Sequence, residues 1–321
     1  MANCEKLKIL AVVGPTASGK SALAVALAHR LGGEIVSCDS MQIYRRMDIG
    51  TAKPSAEETD GIPHHLIDTV EPHASFSCAD YVCAARAAVA EIAARGKLPI
   101  LCGGTGLYLD AFLRGRGFEE TECDPALRQS LFDFAQAHGN HALHERLAQV
   151  DPESAAAIHE NNVKRVVRAL EIYETTGMTK TEADRRSRQF ESPYDATVIG
   201  LRYEAREVLY ARIDRRVDKM LADGLLDETR ALMAEGVFER NATAAQAIGY
   251  KELLGYLRGE QSLDEATEAL KRATRRYAKR QMTWFGAKEY VRWIDVTEDS
   301  RVLPFEEIVN RAMKSFTGSE I

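Results

Sequence analysis

A glycine-rich segment near the start of the chain has the residue types needed to hold phosphate groups. Residues 14–21 have the sequence GPTASGKS and match the pattern GxxxxGK[ST] at every fixed position. Gly14 and Gly19 allow backbone N–H groups to turn inward, Lys20 supplies a cation, and Ser21 supplies a hydroxyl ligand for Mg²⁺. A chance glycine-rich turn is the alternative. The segment predicts di- or triphosphate contacts from Gly14, Pro15, Thr16, Ala17, Ser18, Gly19, Lys20 and Ser21.

A carboxylate follows the second predicted strand. Asp39 comes directly after residues 34–38, and open α/β sheets place their sites beyond the carboxyl ends of strands. Asp39 could bind magnesium, act as a general base or simply cap the strand end. The strand at 98–102 ends in Gly103-Gly104-Thr105-Gly106 without a carboxylate, whereas motor and switch NTPases usually place a magnesium-binding Asp there. The glycine-rich segment alone therefore leaves the fate of the phosphate open.

The elements around these residues alternate between strands and helices. Continuous apolar runs predict buried strands, and a spacing of three to four apolar residues predicts helices. The predicted strands are 7–13, 34–38, 98–102 and 196–202, and the first helices are 21–31 and 79–95. This order predicts an α/β fold, a P-loop NTPase-like parallel sheet flanked by helices.

The segment 118–195 differs from the rest of the chain, because it contains helix signals and almost no strand signals. Asp-Pro pairs at 124–125 and 151–152 resemble an N-cap followed by proline at the first helical position. Helices are predicted over 125–138, 152–159 and 163–176, with Asn162 as the cap of the third and a Thr179–Glu182 capping box next. We therefore expect residues 1–117 and 196–321 to form the P-loop core with C-terminal helices, and 118–195 to form an all-helical insertion.

Composition excludes several classes of protein. The 321 residues are 45% hydrophobic and 28% charged, which is typical of a folded globular chain. No run approaches the roughly twenty apolar residues that span a bilayer, and no signal peptide is evident, so we expect a cytoplasmic protein. Its six cysteines lack a CxxC pair and are expected to be reduced. The net charge of −6 means that nucleic-acid binding requires local basic clusters, as at 164–168 and 271–280.

Six motifs together resemble the tRNA dimethylallyltransferases. They are GPTASGKS at 14–21, Asp39-Ser40 with Gln42-Ile43-Tyr44, DIGTAKP at 48–54, GGTGLY at 103–108, QAIGYK at 246–251 and KRQMTWF at 279–285. The resemblance implies transfer of a dimethylallyl group from dimethylallyl diphosphate to N6 of adenosine 37, just 3′ of the anticodon, in tRNAs that read codons starting with U. It also implies release of diphosphate, Mg²⁺ as the cofactor, the anticodon stem-loop as the partner, tRNA binding by the helical insertion at 118–195, and a monomer that does not bind membranes.

The resemblance also implies residue roles. Asp39 would be the general base for the exocyclic amine, while Thr105 and Arg216 would bind the diphosphate or align the reacting groups; the loop at 14–21 would hold a leaving group. The sequence departs from the family at 161–165, NNVKR, where a proline and a glutamine commonly precede the arginine. The expected tRNA contacts are Asp39, Ser40, Met41, Gln42, Thr105, Arg128, Lys164, Arg165, Val166, Val167, Arg168, Gln246, Gly249, Tyr250, Lys251, Arg276, Lys279, Arg280 and Gln281.

Two other functions use the same glycine-rich segment. One is a kinase that binds ATP and phosphorylates a small molecule or nucleotide. The other is a non-enzymatic RNA-binding switch. Phosphate transfer from ATP without prenylation would identify the kinase, and tRNA binding without turnover of either donor would identify the switch.

Overall fold

The chain divides into two compact units. A computed structural model describes residues 6–114, 124–188, 192–299 and 301–318. One unit comprises Met1–Leu113 with Tyr194–Ile321, and the other comprises Arg114–Pro193. The expected boundary between residues 117 and 118 lies outside the described residues, as do Cys4 and Cys123. Each unit has its own hydrophobic core and is described separately.

The first unit is built on a six-stranded sheet in which every described strand pair is parallel. Strand β1 occupies an interior position between β4 and β5, and the full order is β3-β2-β4-β1-β5-β6. A separate antiparallel pair, β7 and β8, follows in the chain. The strands are β1 (Leu7–Val13), β2 (Gly33–Ser37), β3 (His64–His65), β4 (Leu98–Gly103), β5 (Tyr194–Arg202), β6 (Val291–Asp295), β7 (Thr297–Glu298) and β8 (Arg301–Val302).

Helices cover both faces of the sheet. Alternate residues of β1 enter opposite cores, with Leu10 and Val12 on one face and Ile9 and Ala11 on the other, which explains its continuous apolar run. The expected α/β sheet is confirmed. The helices of this unit are α1 (Lys20–Leu31), α2 (Ala56–Thr59), α3 (Cys78–Ala94), α4 (Gly106–Leu113), α10 (Arg206–Ala222), α11 (Leu225–Ala234), α12 (Val237–Arg240), α13 (Lys251–Leu257), α14 (Leu263–Gly286) and α15 (Phe305–Thr317), with a 3₁₀ turn at Ala244–Gln246.

The C-terminal helices build a third apolar cluster beyond the sheet. Val217, Leu225 and Leu270 pack there with Tyr44 and Tyr250, and both tyrosines are fully buried. Ser262 and Glu265 form the expected capping box at the start of α14. Within the described ranges, no helix is both long and apolar enough to cross a membrane.

The second unit consists of helices around a separate core. Asp124 accepts hydrogen bonds from the N–H groups of Ala126 and Leu127, at 2.9 and 3.1 Å, which confirms it as the N-cap. Asn162 precedes a helix as predicted but makes no side-chain capping bond there. Its conformation, φ −88° and ψ 56°, is not the extended geometry typical of a cap. The helices are α5 (Pro125–His138), α6 (Asn140–Val150), α7 (Pro152–Ala157), α8 (Val163–Thr176) and α9 (Lys180–Arg188).

Candidate functional site

The glycine-rich loop connects β1 to α1. Gly14 has φ +150° and Gly19 has φ +93°, and Ala17 also has a positive φ, +62°. A Cβ on Gly14 would lie 3.2 Å from the carbonyl oxygen of Leu201, so glycine is needed for close approach to β5. The loop ends at the amino terminus of α1, where unpaired N–H groups favour an anion.

Side chains from distant elements hold this loop in place. The Tyr203 hydroxyl donates to the Ser18 carbonyl at 3.1 Å, and Arg212 Nε donates to the Ala17 carbonyl at 2.9 Å. Gln281 Oε1 accepts from the Thr16 N–H at 2.8 Å. The shape of the loop is therefore fixed by α10, by α14 and by the residue that follows β5, as well as by its own glycines.

Asp39 lies beyond the end of β2, where its side chain caps the loop that follows. Its Oδ1 accepts from the N–H groups of Met41 and Gln42, at 2.9 and 3.4 Å. Within the described chain these hydrogen bonds use Oδ1 only, so Oδ2 remains available to a ligand or a proton. The cap and the general base are thus compatible, because they use different oxygens.

Thr105 joins the loop after β4 to the loop after β2. Its hydroxyl oxygen accepts from the Ser40 N–H at 3.1 Å, and the hydroxyl donates to Ser40 Oγ at 3.4 Å. Burial raises the pKa of Tyr277 above its usual value, and the Asp39 carboxylate acts in the same direction. A Cβ on Gly103 would lie 2.1 Å from the Cys38 carbonyl oxygen, so only glycine allows these two loops to approach.

Lys20 and Arg216 place two positive charges beside Asp39. Burial lowers the pKa of Lys20, and the charge of Arg216 lowers it further, whereas Asp39 opposes the shift. Burial likewise lowers the pKa of Arg216. Arg216 Nη1 lies 3.5 Å from the Thr16 hydroxyl oxygen. Two cations that lose hydration together favour a multiply charged anion between them.

These groups border one pocket of about 350 Å³ at the carboxyl ends of the strands. Its polar lining includes Lys20, Ser21, Asp39 and Arg216, and its apolar lining includes residues such as Val217 and Met220. A pocket of this volume and mixed lining fits a small ligand that has both a charged and an apolar part. The predicted residues that line it are Thr16, Lys20, Ser21, Asp39, Ser40, Met41, Gln42, Arg216, Gln246, Gly249, Lys251, Arg280 and Gln281.

The pocket contains oxygen ligands that suit Mg²⁺. The Ser21 hydroxyl and the Asp39 carboxylate both line it, and Mg²⁺ prefers such hard donors together with substrate phosphates. In the loop, the buried Ser18 hydroxyl has no hydrogen-bond partner within the described structure, as expected where an anion is to be bound. The described ranges contain no group of three or more His, Cys, Asp or Glu side chains arranged to bind a metal. The donor set therefore fits a magnesium–diphosphate pair.

Four of the expected tRNA contacts have buried side chains. Val166 and Val167 lie in the core of the helical unit, so they can serve an RNA surface only by holding α8 in place. The Tyr250 ring is fully buried, and its hydroxyl donates to Glu228 at 2.7 Å. Gln281 is 4% exposed and is hydrogen-bonded to protein backbone.

The basic residues of α14 divide into two sets. Lys271 and Arg275 pair with Asp218 and Asp214, at 2.7 and 2.5 Å, so their charges hold α14 against α10. Glu268, on α14 itself, lies 3.8 Å from Lys271 and adds to this pairing. The exposed members are Arg272, Arg276, Lys279 and Arg280, and three of them border a second pocket of about 340 Å³ with Lys251.

In the helical unit, Lys164 and Arg165 are exposed on α8. Arg128 and Arg168 instead share the carboxylate of Glu171, whose Oε2 accepts from them at 2.9 and 2.8 Å. Burial alone would raise the pKa of Glu171, but hydrogen bonds from Arg128 and Arg168 outweigh it and hold the pKa below its usual value. This unit therefore presents two exposed cations and two arginines that are held by one carboxylate.

The sequence patterns did not predict several residues that lie at or near the site. Tyr277 lies one helical turn before Gln281, and this spacing could have identified it as a pocket residue. Tyr203, Arg212 and Glu228 carried no local signal. Among the histidines, His64 borders the pocket, and burial lowers its pKa. Burial raises the pKa of the Cys38 and Cys102 thiols, to about 12 and about 11, which fits reduced cysteines.

The amino-acid sequence was compared with known protein families and proteins. A family model described as IPP transferase matches residues 42–288. A tRNA dimethylallyltransferase of Halalkalibacterium halodurans is 49% identical over 307 residues, covering 95% of this chain and 97% of the relative. One from Geobacillus thermodenitrificans is 51% identical over 302 residues, covering 94% and 95%.

Solved structures give the same picture. The tRNA isopentenylpyrophosphate transferase of Bacillus halodurans is 47% identical, with a TM-score of 0.71 and 98% of each chain covered. A eukaryotic dimethylallyltransferase captured acting on tRNA is 29% identical, with a TM-score of 0.82, covering 98% of this chain and 81% of that one. The similarity extends over nearly the whole length of the chain.

Proposed function

Because the chain belongs to the IPP transferase family of tRNA dimethylallyltransferases, we propose that its pocket transfers the dimethylallyl group of dimethylallyl diphosphate to N6 of adenosine 37 in tRNAs that read codons starting with U. One observation carries the proposal. The Lys20 and Arg216 cations, the Asp39 carboxylate and an apolar lining occupy one pocket. This combination fits a donor with a diphosphate at one end and a five-carbon chain at the other.

In the proposed reaction, the carbon–oxygen bond between the dimethylallyl group and its diphosphate breaks as the bond from N6 to that carbon forms. The diphosphate leaves with the bonding electron pair, and N6 loses one proton. Asp39 Oδ2 accepts that proton, since Oδ1 is engaged with the loop amides. An adenine amino group is a weak nucleophile, so alignment of N6 with the carbon matters more than its deprotonation before attack.

The positive groups around the loop stabilise the departing diphosphate. Lys20, Arg216 and Ser21 at the amino terminus of α1 all line the pocket, where positive groups stabilise the negative charge that grows on the leaving diphosphate. Thr105 aligns the loop that carries Asp39 through Ser40. Bound Mg²⁺, held by the Ser21 hydroxyl and by diphosphate oxygens, would neutralise further charge on the leaving group. The P-loop thus serves an alkyl transfer.

The target adenine has to leave its stack to reach such a pocket. Unstacking costs a few kcal/mol in a duplex and less in a single-stranded loop, so an anticodon loop is a suitable substrate. We propose that the exposed cations of α14, and separately those of α8 in the helical unit, bind tRNA phosphates. We also propose that the protein is a monomer and that it is located in the cytoplasm. Light scattering tests the oligomeric state, and cell fractionation tests the location.

The test is direct incubation of the protein with tRNA and either labelled dimethylallyl diphosphate or γ-labelled ATP. We expect label from the first donor on adenosine 37, dependent on Mg²⁺ and abolished by EDTA, and no phosphate transfer from the second. Phosphate transfer without prenylation would identify the kinase instead. A tRNA in which adenosine 37 is replaced by guanosine serves as the matched control for the site of transfer.

A further inference from the structure

Glu228, on α11, binds three consecutive backbone amides of the loop at 48–50. Its Oε2 accepts from the N–H groups of Asp48 and Ile49, at 3.0 and 2.9 Å, and its Oε1 accepts from the Gly50 N–H at 3.0 Å. The Tyr250 hydroxyl also donates to Oε1, at 2.7 Å. A carboxylate offers about four acceptor positions, so these four hydrogen bonds use its full capacity.

The two segments that meet at Glu228 both lead into the reaction pocket. Thr51 and Ala52, next to the bound amides, line the pocket, and so does the segment Gln246–Gly249 that precedes Tyr250. Glu228 itself is absent from the pocket lining. It therefore acts on the pocket through the two segments and not by touching a ligand.

A chain of hydrogen bonds continues from this loop to Asp39. The side-chain amide of Gln42 donates to the carbonyl groups of Thr51 and Ala52, at 3.3 and 3.1 Å. The backbone N–H of Gln42 in turn donates to Asp39 Oδ1 at 3.4 Å. The position of the bound loop is thus linked to the orientation of the carboxylate that accepts the proton.

Close packing leaves this loop little freedom to adjust. A Cβ on Gly50 would lie 2.4 Å from the Tyr250 ring, and Gly249 has φ +109° with its Cβ position 3.1 Å from the Gly50 carbonyl oxygen. On the other side, Lys53 Nζ donates to the Tyr44 carbonyl and to Asp48 Oδ1, at 2.5 and 2.6 Å. If the carboxylate were lost, three backbone amides and a hydroxyl would lose their acceptor together.

We propose that Glu228 is a positioning residue for prenyl transfer, which sets the placement of the loop at 48–52 and, through Gln42, of Asp39. The inference rests on the proposed function. A displacement of about 1 Å at reacting groups can cost about 100-fold in rate. We therefore expect Glu228→Gln to lower kcat by about 10- to 100-fold, while the affinity for tRNA stays within about threefold of wild type.

The matched control is Asp227→Asn, one residue earlier on the same helix, where the side chain is exposed and paired with Arg230. Prenylation is measured under saturating donor and tRNA, together with thermal unfolding and hydrogen exchange of the amides at 48–52. The positioning role is supported if Glu228→Gln lowers kcat and speeds hydrogen exchange in that loop, while exchange in β1 and β4 stays at the wild-type rate. Asp227→Asn should match wild type in all three measurements.

Other outcomes overturn the proposal. A folded Glu228→Gln protein with kcat within threefold of wild type removes the positioning role, and so does a kcat loss that only follows the fraction unfolded. If Glu228→Gln fails to fold, the test uses Tyr250→Phe, which removes the hydroxyl that donates to Glu228. A three- to tenfold fall in kcat of this variant supports the proposal, and an unchanged kcat overturns it. A wild-type protein that does not prenylate tRNA would instead reject the proposed function itself.

Discussion

The Gln281 side chain accepts a hydrogen bond from the Thr16 N–H at 2.8 Å, and its amide nitrogen donates to the Gly104 carbonyl at 3.0 Å. One side chain of α14 therefore connects the P-loop to the loop that follows β4. The contact is tight, because a Cβ on Gly104 would lie 2.0 Å from Gln281 Nε2. The KRQMTWF motif thus supports the P-loop from within the protein.

Replacing Gln281 by alanine should raise the KM for dimethylallyl diphosphate by about tenfold, because a buried loop amide loses its partner at a cost of about 1–3 kcal/mol. Steady-state prenylation with varied donor measures the change, and tRNA affinity should stay near wild type. Thr283→Ala is the control, since that exposed hydroxyl on the same helix bonds only its own helix carbonyl. An unchanged donor KM with weaker tRNA binding would make Gln281 an RNA contact instead.

Asp39→Asn should lower kcat by about 10²- to 10⁴-fold, the usual contribution of a general base, with tRNA affinity nearly unchanged. Asparagine retains an oxygen that can accept from the Met41 and Gln42 amides, so the loop should keep its shape. Single-turnover prenylation and a filter-binding assay measure the two quantities. Equal losses in both would make Asp39 a structural anchor. Asp60→Asn, at an exposed carboxylate paired with His29, is the control.

Lys164→Ala combined with Arg165→Ala should weaken tRNA binding and leave turnover at saturating tRNA near wild type. Both side chains are exposed on α8, and each phosphate contact removed should reduce the slope of log K against log salt by about 0.7–0.9. Binding measured at several salt concentrations checks this. Arg185→Ala, an exposed residue of α9 paired with Glu153, is the control. An unchanged slope would remove α8 from the RNA surface.

Glu171→Gln should destabilise the helical unit by about 1–3 kcal/mol at neutral pH, because Arg128 and Arg168 lose their shared carboxylate. The folded pKa of Glu171 lies below its ordinary value of 4.5, so its stabilising effect is fully present above pH 4.5 and is lost as pH falls through the folded pKa. The variant and wild type should therefore converge in strong acid. Thermal unfolding at several pH values tests this, with Glu174→Gln as the surface control.

The central strands could be predicted from sequence because their burial is continuous. Strand β1 was expected at 7–13 and found there, and β2, β4 and β5 begin within two residues of their expected starts. Strand β3 is only two residues, His64–His65, and β6 lies at the opposite edge of the sheet. Edge strands are paired on one side and need no long apolar run, so hydrophobicity alone could not indicate them.

The site was predictable where its chemistry is local in the chain. The loop at 14–21 and Asp39 have recognisable sequence contexts, whereas Arg216 came only from the family resemblance. Tyr203 and Arg212 contact the P-loop across 185 and 195 residues, and their roles depend on how β5 and α10 are placed. Contacts of this kind follow from topology, which no local pattern encodes.

The interior position of β1 also has a consequence during synthesis. Leu7 pairs with Tyr194 in β5, so while the chain emerges from the ribosome one side of β1 stays unpaired until the helical unit has been made. The helical unit, which has its own core, can fold meanwhile and shorten the loop to be closed. In stalled nascent chains, we expect protease resistance of β1 to increase only after residue 202 has left the exit tunnel. Until then, β1, which leads into the P-loop, is an exposed edge strand of a sheet that still lacks β5.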